Sequence, residues 1–164
     1  MKAFLPEGFF VEVTLNLFFC NFGRYFSTLS FYFLLFKLIL CMQGKVAIFD
    51  DDHDILELCS FILQQKGFEV LTRPDCRDLL ETVTDFKPDV ILMDNWIPEA
   101  GGIDATQRLK AEPTLRQIPI IYFSANNDIK SLAAKAGADK FLAKPFDIDA
   151  LENLVTDTVN ESRN

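Results

Sequence analysis

Histidine occurs once, at position 53, and the four cysteines (Cys20, Cys41, Cys59 and Cys76) include no CxxC pair and no histidine at metal-ligand spacing. His53 cannot build a zinc site with them, and the cysteines read as free thiols of a reducing compartment. There is no Ser-His-Asp order, no GxGxxG and no glycine-rich phosphate cradle, so the common hydrolase and nucleotide-binding patterns are missing. No basic run interleaved with aromatics occurs either. With 16 Lys and Arg against 24 Asp and Glu, the formal net charge is −8, which argues against direct nucleic-acid binding. Apolar residues make up 49 % and charged ones 24 %, so the 164-residue chain is not disordered and has enough material for one domain with a real core.

The composition is uneven. Residues 1–43 carry a net +1 and residues 44–164 carry −9, while ten of the 17 Phe lie at or before Phe36. A Phe-rich leader (1–43) therefore precedes an acidic globular segment (44–164). Residues 25–42 form an apolar stretch near the short end of what spans a bilayer, and it contains Lys37. It makes a poor signal peptide, because the charged start is distant and no small-residue cleavage site comes after it. Residues 11–17 alternate like a strand. Three readings stand: a marginal membrane anchor through residues 25–42, a packing extension, or residues 1–41 translated from upstream of a true start. The third is the expectation, since Met42-Gln-Gly-Lys45 makes a natural beginning for the globular segment. Peptides from before Cys41 in the native protein would overturn it.

From residue 44 the apolar pattern alternates between short runs and helical spacing. Strands are predicted over 45–49, 68–72, 90–93, 118–123 and 140–143. Helices are predicted over 53–66, 75–86, 103–111 and 127–136, and from Asp147 onward, with Asp52 as an N-cap and Gly67 and Gly137 as stops. This is (βα)₅, an α/β fold with a doubly wound parallel sheet covered on both faces. In such sheets ligands sit at the carboxyl ends of the strands.

Those ends carry the chemistry. Strand one ends in Asp50-Asp51-Asp52, strand three in Asp94 and strand four in Ser124-Ala125. Lys144-Pro145 follows strand five. Each alone reads as a solvated turn or a cap. Together they bring acids, a hydroxyl and a lysine to one place. Clustered carboxylates stay ionised cheaply only beside cations, and an oxygen-rich set of this kind suits Mg²⁺. An ionised carboxylate there can attack phosphorus and become an aspartyl phosphate, with the lysine and hydroxyl serving the phosphoryl oxygens.

The motifs IFDDD (48–52), VILMDNWIPEAGG (90–102), FSA (123–125) and KFLAKPF (140–146) agree in order and spacing with one family. Over roughly residues 44–160 the chain resembles a stand-alone response-regulator receiver domain of two-component signalling. The resemblance implies a flavodoxin-like strand order 2-1-3-4-5. It also implies roles: Asp94 as phosphoacceptor; Asp51 binding Mg²⁺ directly and Asp50 through water; the Trp96 backbone carbonyl as a further ligand. Ser124 and Lys144 would contact the phosphoryl group, and Pro145 would fix the turn that aims Lys144. Phe141 occupies the aromatic switch position, without the hydroxyl of the tyrosine often found there. Asp52 reads as a helix cap, and Trp96 and Asn126 as rim residues; Trp96 either slows hydrolytic water or simply packs on its loop.

The implied function is phosphoryl acceptance from a sensor histidine kinase or histidine phosphotransfer protein. It switches the surface of helix four, strand five and helix five, which an unknown downstream protein reads. This makes a signalling switch with possible autodephosphorylation, not a turnover enzyme, acting in the cytoplasm. A homodimer is possible, and membrane contact is expected only if the leader is real. The chain ends just after the fifth helix, so no output domain is expected. One rival reading is a haloacid-dehalogenase-like phosphatase, with Asp50 as nucleophile, Asp52 as general acid, and Ser124 and Lys144 as later motifs. Against it, His53 stands where Thr or Val is usual, only one helix remains after Lys144 to supply further metal-binding acids, and Asp94 goes unexplained. A degenerate, binding-only receiver has no support, since every expected polar residue is present.

Overall fold

The computed structural model of the protein describes residues 43–98 and 100–163. The readings of the leader fall on residues 1–42 and lie outside them. Five strands, β1 (Gly44–Phe49), β2 (Phe68–Arg73), β3 (Val90–Asp94), β4 (Ile120–Ser124) and β5 (Lys140–Ala143), alternate with five helices. The helices are α1 (His53–Gln65), α2 (Leu79–Phe86), α3 (Gly101–Ala111), α4 (Ile129–Ala136) and α5 (Ile148–Ser162). The strands form one parallel sheet in the order β2-β1-β3-β4-β5, as expected.

The two-residue period of the strands sorts their side chains onto two cores. Ala47, Phe49, Ile91, Met93, Ile120 and Tyr122 face α2, α3 and α4. Val46, Ile48, Val90, Leu92, Ile121 and Phe123 face α1 and α5. β3 and β4 are buried along their whole length, which explains their unbroken apolar runs. The edge strands β2 and β5 are only partly covered. Among the described residues, no helix is long and apolar enough to cross a membrane. Cys59 and Cys76 are both buried.

Three elements start two or more residues later than predicted, each for a local reason. α2 begins at Leu79 rather than Asp75, because the Asp75 carboxylate folds onto Arg77: it accepts from the Arg77 backbone N–H at 3.1 Å and from its guanidinium at 2.6 Å. β4 begins at Ile120, after Pro119, which has no N–H for the ladder and contributes only its carbonyl, accepting from the Ile91 N–H at 3.0 Å. α4 begins at Ile129 because Asn126 Oδ1 accepts from the Asp128 N–H at 2.9 Å and holds a turn there. α3 begins two residues early, at Gly101.

Candidate functional site

In-register pairing sets the strand ends level. Phe49 pairs with Met93, Asp94 with Phe123, and Ser124 with Ala143. Each strand's last residues therefore emerge at the same rim of the sheet. Asp50 and Asp51 leave β1 there, Asp94 closes β3, Ser124 closes β4 and Lys144 follows β5. All five border one open depression of about 450 Å³, together with Asp52, Trp96 and Asn126. The chain's one histidine, His53, lines a separate groove beside α1 with Phe61 and Thr72.

Lys144 links the two buried acids. Its Nζ donates to Asp94 Oδ1 at 2.7 Å and also to Asp50 Oδ2. It stands 4.2 Å from the centroid of the Phe123 ring, whose face attracts the ammonium charge. Its backbone is anchored too, since the Lys144 N–H donates to the Ser124 carbonyl at 2.8 Å. The Lys144–Pro145 peptide bond is cis. Asp94 is 5 % exposed, and its second oxygen accepts from the Trp96 N–H at 2.5 Å. Asp50 is 1 % exposed and also accepts from the Asp52 N–H at 3.0 Å. Ser124 Oγ accepts from the Asn126 N–H at 3.3 Å; a hydroxyl that accepts still has its own hydrogen to donate.

The electrostatics are under-compensated. Asp50, Asp51 and Asp94 can each present a carboxylate oxygen within 4.8 Å of the others, with one lysine among them. Burial pushes the Asp50 carboxyl above its ordinary range. Hydrogen bonds from Lys144 and Asp52 and the Lys144 charge oppose that rise, while the Asp94 charge adds to it. Burial works against the charge of Lys144, but its hydrogen bonds to Asp50 and Asp94 and their charges outweigh it, so its pKa is raised and it stays an ammonium. Surplus carboxylate oxygens in a water-accessible recess suit a hard divalent cation such as Mg²⁺ better than a soft metal.

Trp96 is 76 % exposed at the mouth and Asn126 borders it. Phe141 is 44 % exposed on the edge strand. Asp52 stands as the N-cap of α1, its Oδ1 accepting from the N–H groups of Asp54 at 2.9 Å and Ile55 at 3.3 Å. That carboxylate is thus engaged with the helix end rather than poised as a general acid, which counts against the phosphatase reading.

Two features were not visible in the sequence. One is a hydrogen bond from the buried Tyr122 hydroxyl to Asn95 Oδ1 at 2.6 Å, across 27 residues. In an apolar strand, Tyr122 reads only as core. The other is the approach of α3 to the end of β3: a β-carbon on Gly102 would stand 1.8 Å from the Asp94 carbonyl oxygen. A glycine pair at a helix start gives no hint of which one is crowded.

Residues 46–156 match the response regulator receiver domain family. The CAI-1 autoinducer sensor kinase/phosphatase CqsS of Vibrio cholerae is 32 % identical over 116 residues, covering 69 % of this chain and 17 % of that protein. The phosphate regulon transcriptional regulatory protein PhoB of Pseudomonas aeruginosa is 35 % identical over 108 residues, covering 64 % of this chain and 47 % of that protein. The chain thus spans half or less of the length of these curated relatives. Among solved structures, the receiver domain of the Francisella response regulator 1452 superposes with a TM-score of 0.66 at 27 % identity, covering 73 % of this chain and 98 % of that one.

Proposed function

Because the chain belongs to the response regulator receiver domain family of two-component signalling, we propose that it accepts a phosphoryl group on Asp94 and thereby switches a protein-binding surface. The observation that carries this reading is the convergence of Asp94, Lys144 and the Asp50–Asp51 pair in one recess at the strand ends. On this reading residues 44–164 form the functional domain.

An Asp94 carboxylate oxygen attacks the phosphorus of a phosphohistidine on a sensor kinase or phosphotransfer protein. An Asp94 O–P bond forms, the donor's N–P bond breaks, and the imidazole nitrogen keeps the electron pair. Asp94 is held for this at both oxygens, by Lys144 and by the Trp96 N–H. Lys144 then follows the phosphoryl group and stabilises its oxygens, and Ser124 donates its hydroxyl hydrogen to one of them. Asp50, Asp51, Asp94 and the Trp96 carbonyl would hold Mg²⁺, which when bound neutralises charge on the transferring phosphoryl group. Water attack on phosphorus at the same place would reverse the modification. Movement of Ser124 and inward rotation of Phe141 would carry the signal to the face of α4, β5 and α5, which a downstream protein reads. The cytoplasm, where kinase and target are available, is the place of action.

The test is intact mass of the full-length chain after incubation with Mg²⁺ and acetyl phosphate. Wild type should gain one phosphoryl group and Asp94→Asn none. A gain in both would move the nucleophile to another residue, and no gain in folded, Mg²⁺-binding wild type would count against the reading.

A further inference from the structure

The loop between β3 and α3 carries two groups that the proposed chemistry uses, the Asp94 carboxylate and the Trp96 carbonyl. Asn95 lies between them and is tied at two points. Its carbonyl accepts from the Gly102 N–H at 3.0 Å, and its side-chain Oδ1 accepts from the Tyr122 hydroxyl at 2.6 Å. Tyr122 sits in the middle of β4, wholly buried, in register with Met93 on one side and Phe141 on the other. Its ring packs in the core shared with Phe49, Met93 and Ile97. A phenylalanine would supply the same apolar ring there. The hydroxyl is therefore the part of the residue that packing does not require, and it reaches the residue next to the phosphoacceptor. Buried phenols need a partner, and a bond to a side chain on a loop removes freedom from that loop.

We infer that Tyr122 is a positioning residue: through its hydrogen bond to Asn95 it holds the β3–α3 loop in the shape that presents Asp94 and the Trp96 carbonyl together to the cation. The inference rests on the receiver reading above. It assigns work to a rigid strand, since β4 is covered on both faces and its middle is fixed by the sheet. Without the bond Asn95 keeps its backbone tie to Gly102 but loses the side-chain anchor to β4, and a neutral hydrogen bond of this kind corresponds to roughly three- to tenfold in an equilibrium constant.

The experiment uses the full-length chain, with folding checked by circular dichroism. Trp96 is the one tryptophan and stands at the site, so its fluorescence follows titration with Mg²⁺. In Tyr122→Phe the half-saturating Mg²⁺ concentration should rise roughly three- to tenfold. The rate of phosphoryl gain from acetyl phosphate at saturating Mg²⁺ should change far less. Asn95→Ala should raise the half-saturating concentration by a similar factor, and the double variant should be no worse than either alone. An unchanged half-saturation in Tyr122→Phe, with wild type still gaining phosphoryl mass, overturns the inference and leaves the receiver reading intact. Effects of the two substitutions that multiply in the double variant also overturn it, because Tyr122 then acts by packing rather than through Asn95. Should Tyr122→Phe not fold, unchanged half-saturation in Asn95→Ala overturns the inference. Wild type that neither binds Mg²⁺ nor gains phosphoryl mass removes the premise, and the inference with it.

Discussion

Replacing Gly102 with alanine should damage this protein far more than replacing Gly101, although the two are neighbours at the start of α3. A β-carbon on Gly102 would stand 1.8 Å from the Asp94 carbonyl oxygen, 2.8 Å from the carbonyl carbon and 3.0 Å from the Asn95 Cα. These are backbone atoms at the end of a central strand, so no side chain can rotate away. Ordinary contact begins at 3.4 Å, so the start of α3 and the end of β3 would have to part by about 1.6 Å. That separation strains the 3.0 Å bond from the Gly102 N–H to the Asn95 carbonyl and shifts the loop that bears Asp94. Overpacking of a rigid site costs about 1–3 kcal/mol, an overlap this deep against backbone falls at the upper end, and the lost hydrogen bond adds about 1, so Gly102→Ala should cost about 3–4 kcal/mol. At Gly101 a β-carbon meets nothing within 4 Å, and only the φ of +70° opposes it. A residue with a β-carbon in that conformation costs about 1–2 kcal/mol. Urea unfolding of the full-length variants, followed by far-ultraviolet circular dichroism, separates the two magnitudes. Phosphoryl gain by mass should fall in Gly102→Ala and persist in Gly101→Ala. Gly102→Ala within about 1 kcal/mol of wild type, or Gly101→Ala the worse of the two, would refute this account of the close approach.

Four further outcomes are expected from the site and the core. Lys144→Met strands two buried carboxylates and should cost about 3 kcal/mol in urea unfolding as well as abolish phosphoryl gain; near-wild-type stability would mean the lysine is not the linchpin of the cluster. Because burial first, and Asp94 next, raise Asp50 above its ordinary value of 3.8, the folded state holds that proton more tightly than the unfolded chain does. Without divalent cations, stability should therefore fall as pH rises through the folded pKa of Asp50, and Asp50→Asn should flatten that fall; a flat wild-type profile contradicts the assignment. The Tyr122 phenol, pushed up to about 12 by burial and by the Asp94 charge, contributes stability that is full below pH 10 and lost as pH rises through about 12; the tyrosinate absorbance that separates wild type from Tyr122→Phe should appear near 12 when folded and near 10 in urea. The Cys59 thiol, pushed up to about 11 by burial and then by the Asp50 charge, should resist a thiol-directed reagent at neutral pH until the protein unfolds; peptide mapping that finds Cys59 labelled in the native state would show the core to be open there.

The fold was largely legible because its signals are local and repeated. Unbroken apolar runs such as 90–93 mark strands buried on both faces, and the spacing of Ile55, Cys59, Ile62 and Leu63 marks a helix with one buried side. Asp52 could be named as a cap because an acid before an apolar period has one common use, and it is used that way. Element starts were less legible where a side chain competes with the helix. Asp75 looks like a helix start but spends its carboxylate on Arg77, and Asn126 does the same for the turn before α4. The site residues were legible as a set, since acids, a hydroxyl and a lysine all follow predicted strands.

Sequence alone therefore determined the class of fold, the identity of the groups at the strand ends and their family. Those come from periodicity and from motif spacing along the chain. The distances between the groups came only with the tertiary structure. That Lys144 bridges Asp50 and Asp94 depends on three strands ending at one level, which is a property of sheet register. That Gly102 must be glycine, and that Tyr122 reaches Asn95, depends on how closely α3 and β4 pack against the end of β3. Such contacts join residues far apart in the chain, and local pattern does not encode which of many similar side chains will meet.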